Sequence, residues 1–168
     1  MRRFLDGLYQ AAAVLAAVCL VGLLITVVLS IAGRQFNFHV RGTDAYAGYL
    51  MAAAGFLALA HTLKRREHIR VSVLIERLHG RARHALEVWA LAAAAVLAGL
   101  GAYYGVRLAW QSRVYNDIST SSDATPLWIP QVSMAVGMVI LLIAFLDELV
   151  LELRGRRDES APVETHHE

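Results

Sequence analysis

Seven histidines, one cysteine, fourteen acidic and sixteen basic side chains are the groups in this 168-residue chain that could do chemistry. Their spacing excludes most of it. Cys19 has no second cysteine, so it cannot close an intramolecular disulfide, run a thiol–disulfide couple or help build a zinc cage. It sits within an apolar run, the usual place of a small packed residue. His61 stands alone near the end of another. Haem-carrying membrane bundles need several histidines inside spans. Here His39, His68, His79, His84, His166 and His167 all fall outside the apolar runs. No Walker motif, Ser/His/Asp set, paired catalytic carboxylates or CxxC appears. The expectation is a chain with no catalytic, cofactor-binding or metal-ligating residue and no cofactor. Asp117 and Asp123, in a polar stretch, are open to a cation or basic partner, though solvated loop charge is the commoner state.

The basic residues are less evenly spread. Between Lys64 and Arg83, Lys64, Arg65, Arg66, Arg70, Arg77, Arg81 and Arg83 face only Glu67 and Glu76. Within that stretch Val71, Leu74, Ile75 and Leu78 recur at i, i+3, i+4, i+7, one face of a helix. Arg70 and Arg77 flank that face, and Val73 alone breaks the pattern. Too short and too charged to span, residues 69–80 are expected to lie along a membrane surface, with the apolar face as anchor. The alternative is a solvated helix packed on a soluble partner.

The elements that must position this segment are apolar. The chain is 57% hydrophobic and 18% charged, with mean hydropathy +0.48, beyond the range of an ordinary soluble domain. Its net charge of +2 is concentrated in the 64–83 stretch, which points to membrane topology and lipid rather than nucleic acid. Four runs, about 8–31, 45–63, 86–110 and 126–148, are long enough to cross a core of about 30 Å. Arg2 and Arg3 before the first run resemble a signal-peptide start. The run exceeds an h-region of about 7–15 residues and no small-x-small site follows, so a retained span is expected.

Positive residues near span ends set orientation. Arg2 and Arg3, the 64–83 stretch, and Arg154, Arg156 and Arg157 all fall on one side if four helices cross. Both termini are then cytoplasmic, and 158–168 forms a disordered cytoplasmic tail beyond a four-helix domain of residues 1–157. The polar tail also suggests a chain not fused to a further subunit. The loops Gly33–Asp44 and Gln111–Thr125 face outward. In the first, Arg34 is placed either to snorkel to headgroups or to meet an acidic partner.

Small residues mark faces that pack. Gly55 lies in an alanine-rich second run, and Gly101 and Gly105 form a GxxxG extended back by Ala98 and Ala94. No Asp, Glu, Lys or Arg falls in the middle of any run, and no Gly/Pro-broken half-helices repeat. Ion-coupled carriers use one or the other, so this chain does not transport by itself. A stand-alone homo-oligomeric four-helix channel or another membrane assembly protein is the alternative, but for a channel Thr26, Ser30, Thr62 and Ser133 offer little polar lining.

The order of features then carries a resemblance covering roughly residues 5–150. An Arg34-containing loop is followed by a span with Gly55, and that by Arg66-Glu67-His68-Ile69-Arg70-Val71 and the amphipathic Leu74–Leu78. A small-residue span and a Pro126-Leu-Trp-Ile-Pro130 lead-in to a last span with Gly137 complete it. This resembles the small permease subunit (DctQ-type) of tripartite ATP-independent periplasmic, or TRAP, transporters. Its sharpest part is His68, Ile69 and Val71. Two departures are Ser72, where the family commonly has Asp, and Ala135-Val136, where a Pro often precedes the late Gly. The resemblance implies an all-α membrane protein of the bacterial inner membrane, with partners in a large multi-span transport subunit and a periplasmic substrate-binding protein. It implies a non-catalytic scaffold for ion-coupled, sodium-driven uptake of a carboxylate or similar small acid. Arg34, Arg41 and Asp44 are then the candidates for contact with the binding protein, and membrane lipids the partners of the interfacial segment.

Overall fold

Long apolar runs with no interior proline have one water-free way to pair every backbone N–H and C=O, and that is the α-helix. The computed structural model describes residues 2–38, 40–64, 81–121 and 123–154. These residues form α1 (Arg2–Gln35), α2 (Thr43–Lys64), α3 (Arg81–Val114) and α4 (Trp128–Leu153), with one isolated antiparallel bridge, Ile118–Pro126. All four helices are long and apolar enough to cross a membrane. The expected interfacial helix at 69–80 and the tail at 158–168 lie outside the described residues.

The helices are not bounded where the apolar runs are. Both α1 and α3 have 34 residues, about 51 Å at 1.5 Å per residue, and so extend past or tilt within a core of about 30 Å. They continue until a residue adopts the left-handed conformation. Asn37 (φ 54°) and Asn116 (φ 52°) do this. Just beyond them Phe38 N–H donates to Gly33 O at 3.1 Å and Asp117 N–H to Ser112 O at 2.9 Å. Each is the six-to-one bond of a Schellman cap. Asparagine tolerates that conformation better than most side chains, which explains why both helices stop there.

In space the helices follow the order α1, α2, α4, α3: α1 packs on α2, α2 on α4 and α4 on α3, while α1 meets α4 only marginally. This is an open row rather than a closed bundle. The central helices α2 and α4 each bury 28% of their most apolar window, and the flanking α3 and α1 only 17% and 6%.

The seams of the row are rich in alanine and glycine, joined by larger buried residues such as Leu57, Leu63, Ile140 and Leu141. Ala12, Ala16, Ala53, Ala54, Ala60, Ala95, Ala98, Ala102, Ala109, Ala135 and Ala144 are all buried, whereas Leu24, Met51, Leu97 and Val114 are exposed. In lipid there is no gain in hiding a leucine from an equally apolar solvent, so helices associate through close backbone approach. The closest approach is at Gly137. A Cβ there would lie 2.6 Å from the carbonyl carbon and oxygen of Phe56, so the α2–α4 seam excludes any side chain at this position.

Candidate functional site

The polar residues of the spans come first, because only they could line a path for a solute. Thr26 donates its hydroxyl to Gly22 O (2.7 Å), Thr62 to Leu59 O (2.9 Å) and Ser133 to Pro130 O (2.7 Å). Each returns its donor to its own helix, a common way of satisfying a hydroxyl in an apolar setting. Cys19 packs against the Ala16–Ala53–Leu57 cluster between α1 and α2. Among the described residues no group of three His, Cys, Asp or Glu side chains is placed to hold a metal ion.

The chemistry lies at the two ends of the row. At the end bearing the described connections, residues 115–121 and 123–127 fold back on one another. Ser119 N–H donates to Thr125 O at 2.9 Å and Leu127 N–H to Asp117 O at 3.0 Å. The loop then docks on the first turns of α2. Tyr49 donates its hydroxyl to Asp123 Oδ2 at 3.2 Å, and Thr125 donates to the Tyr46 hydroxyl at 3.3 Å. Tyr46 and Tyr49 meet edge to face at 6.2 Å. Gly42 permits the approach: its φ is +80°, and a Cβ there would fall 2.6 Å from that of Asp123. Partial burial pushes the Asp123 carboxyl up, but the nearby Thr125 and Ser119 side chains, backbone N–H and Tyr49 outweigh it. The net effect holds Asp123 below its usual 3.8. Asp123 is therefore a docking residue and not a solvated loop charge.

Beside this contact, a cleft of about 480 Å³ opens between the end of α1 and the start of α2. Ser30, Arg34, Asn37, Phe38, Thr43 and Asp44 are among its lining residues. The structure thus brings Arg34 and Asp44 to one cavity, whereas Arg41 is exposed outside its lining. The cleft mixes one cation, one carboxylate, hydroxyls and an aromatic ring, a set suited to polar recognition rather than bond-making.

At the opposite end, pairs of charges stitch neighbouring helices. Asp6 of α1 pairs with Lys64 of α2, and the Lys64 ammonium sits 4.8 Å from the centre of the Tyr9 ring. His84 of α3 meets Glu152 of α4 at 2.9 Å, with the glutamate side chain 7% exposed and the histidine 52%. Tyr9 is fully buried, and its hydroxyl has no hydrogen-bond partner among the described residues.

Of the residues singled out from sequence for packing, Ala98 is buried, Gly101 lies under the tip of Met138, and Gly105 faces Ala135, whose Cα would be 3.4 Å from an added Cβ. All three serve the α3–α4 seam. Gly55 is exposed and faces open space, so among the described residues it packs against nothing. His68, Ile69, Arg70, Val71, Leu74, Ile75, Arg77 and Leu78 lie outside the described residues. Sequence reasoning missed the docking of Asp123 onto Tyr49, whose partners are 74 residues apart. It also missed the cation–ring contact of Arg113 with Trp128, 5.2 Å from guanidinium to ring centre. No local pattern announces either.

An open row of lipid-facing helices, no inward polar stripe and recognition chemistry confined to the ends describe a membrane component that works with others. No curated protein sequence matches the chain significantly. The profile described as "Tripartite ATP-independent periplasmic transporters, DctQ component" matches residues 23–155. The chain belongs to that family, the small membrane subunit of transporters that also comprise a large membrane subunit and a substrate-binding protein.

Proposed function

We propose that this subunit is a non-catalytic scaffold: it holds the large transport subunit in the bacterial inner membrane and helps dock the periplasmic binding protein. The transport it serves is ion-coupled uptake, with sodium as the ion and a carboxylate or similar small acid as the solute. The observation that carries this reading is the open row itself. Central helix α2 presents Gly48, Ala52 and Gly55, spaced i, i+4, i+7 and exposed, a face that another helix can approach closely. Of the four span hydroxyls, Thr26, Thr62 and Ser133 are engaged by their own helices and Ser30 lines the cleft at the end of the row, which argues against the homo-oligomeric channel.

In this reading the end built by residues 36–42 and 115–127 faces the periplasm, and both termini and residues 65–80 face the cytoplasm, in keeping with the positive-inside rule. The Arg34–Asp44 cleft and exposed Arg41 meet the binding protein. Val71, Leu74, Ile75 and Leu78 anchor the scaffold in the inner leaflet, with Arg70 and Arg77 at anionic headgroups. The decisive experiment is a mild-detergent pull-down of the tagged chain from native membranes, with mass analysis of what accompanies it. A stoichiometric larger integral membrane protein is the expected result. A clean homo-oligomer would overturn the scaffold reading.

A further inference from the structure

An apolar groove of about 510 Å³ runs along α4 beside α3. We propose that it is a phospholipid site, with one acyl chain lying along α4 and the lipid phosphate held by Arg113. Its α4 wall includes Val132, Val136, Val139 and Ile143, spaced i, i+4, i+7, i+11 and so on one helical face. The lining runs from Trp128 to Ile143, about 22 Å at 1.5 Å per residue. That exceeds half of a core of about 30 Å, the depth one leaflet's chain occupies.

The mouth supplies the charge complementarity. Arg113 lies 5.2 Å from the centre of the Trp128 ring, and both residues line the groove. The ring face attracts the cation at this distance, and the guanidinium keeps N–H donors for an anion, for which a phosphate is a matching shape. Among the described residues no carboxylate lies within ion-pair distance of Arg113. The walls also favour lipid over a partner helix. Close helix association needs small residues, and these lie exposed on α2, whereas the groove wall is mostly branched and aromatic, its two alanines, Ala109 and Ala135, being buried. A flexible acyl chain conforms to such ridges.

The test is intact-mass measurement of the tagged chain, solubilised in mild detergent with its bound subunits and supplied with dioleoylphosphatidylglycerol. Dioleoylglycerol, which lacks the phosphate, is the comparison. Wild type is expected to retain one more phosphatidylglycerol than Val136→Trp, whose indole fills the groove. Arg113→Gln should lose, several-fold, the preference for phosphatidylglycerol over dioleoylglycerol while still retaining the latter. Val139→Phe makes the same test deeper in the groove if Val136→Trp does not assemble. Equal phospholipid retention in the filled and open grooves would overturn the proposal, as would an unchanged headgroup preference in Arg113→Gln. So would cross-linking of Val136→Cys to the large subunit in membranes, since the groove would then hold a helix.

Discussion

Asp123 accepts its hydrogen bond from Tyr49 across 74 residues of sequence, so the 115–127 loop has one carboxylate among the contacts that seat it on α2, beside the Thr125–Tyr46 hydrogen bond. Because its pKa is lower in the folded chain than its usual 3.8, the ionised form favours docking. That contribution is fully present above the ordinary value and is lost as pH falls through the lowered one. Hydrogen exchange of residues 117–127 should therefore stay slow from neutral pH down to about 4 and rise in stronger acid, after correction for the intrinsic pH dependence of exchange. Asp123→Asn should show faster exchange at neutral pH and little further change in acid. A second single-residue prediction concerns glycine. Gly137→Ala places a methyl 2.6 Å from the Phe56 backbone, which cannot rotate away as a side chain can. Overpacking of this kind costs about 1–3 kcal/mol. Gly55→Ala enters open space and should gain about 0.5–1 kcal/mol from helix propensity. Thermal unfolding of the detergent-solubilised chain should thus rank Gly137→Ala below wild type and Gly55→Ala at or above it.

The existence of the helices was legible in the sequence because nearly uninterrupted apolar runs, free of interior proline, allow little else in a membrane. Their ends were less so, since polar turns such as Gly33–Gln35 and Gln111–Val114 stay helical until Asn37 and Asn116 cap them. The spatial order was not legible at all. Ala98, Gly101 and Gly105 announce a packing face, but a small-residue face does not name its partner, and only the fold shows that α4 fills it. Gly137 was visible as a glycine in a span; that it meets Phe56 needed the structure. At this scale the amphipathic segment 69–80 makes its own prediction. If its apolar face anchors the scaffold, Leu74→Asp with Ile75→Asp places two carboxylates against acyl chains, at a cost of several kcal/mol. Complex yield or uptake should fall, and unchanged uptake would remove the anchoring role. The loop elements make a separable one: charge reversal at Arg34, Arg41 and Asp44 should weaken capture of the binding protein while the large subunit still co-purifies. The loop prediction is read by binding-protein retention on the immobilised membrane complex.

At the scale of the whole molecule, an open row has two broad faces and two flanks, and not all of them can be lipid-facing if the chain holds a partner. Large exposed side chains on α1, such as Val18, Val21 and Leu24, suit acyl chains, which fill irregular surfaces at little cost. The exposed Gly48, Ala52 and Gly55 of α2 suit a helix, because only a close backbone approach draws dispersion energy from residues that small. This difference makes the partner-facing surface testable without knowing the partner. Gly55→Trp and Ala52→Trp add bulk at exposed positions, so the isolated subunit should still insert and melt normally. Co-purification of the large subunit should nevertheless drop steeply. Val18→Trp adds comparable bulk to α1 and should leave the complex intact. If the α1 substitution dissociates the complex and the α2 substitutions do not, the scaffold holds its partner through the flank and the small-residue face is turned to lipid.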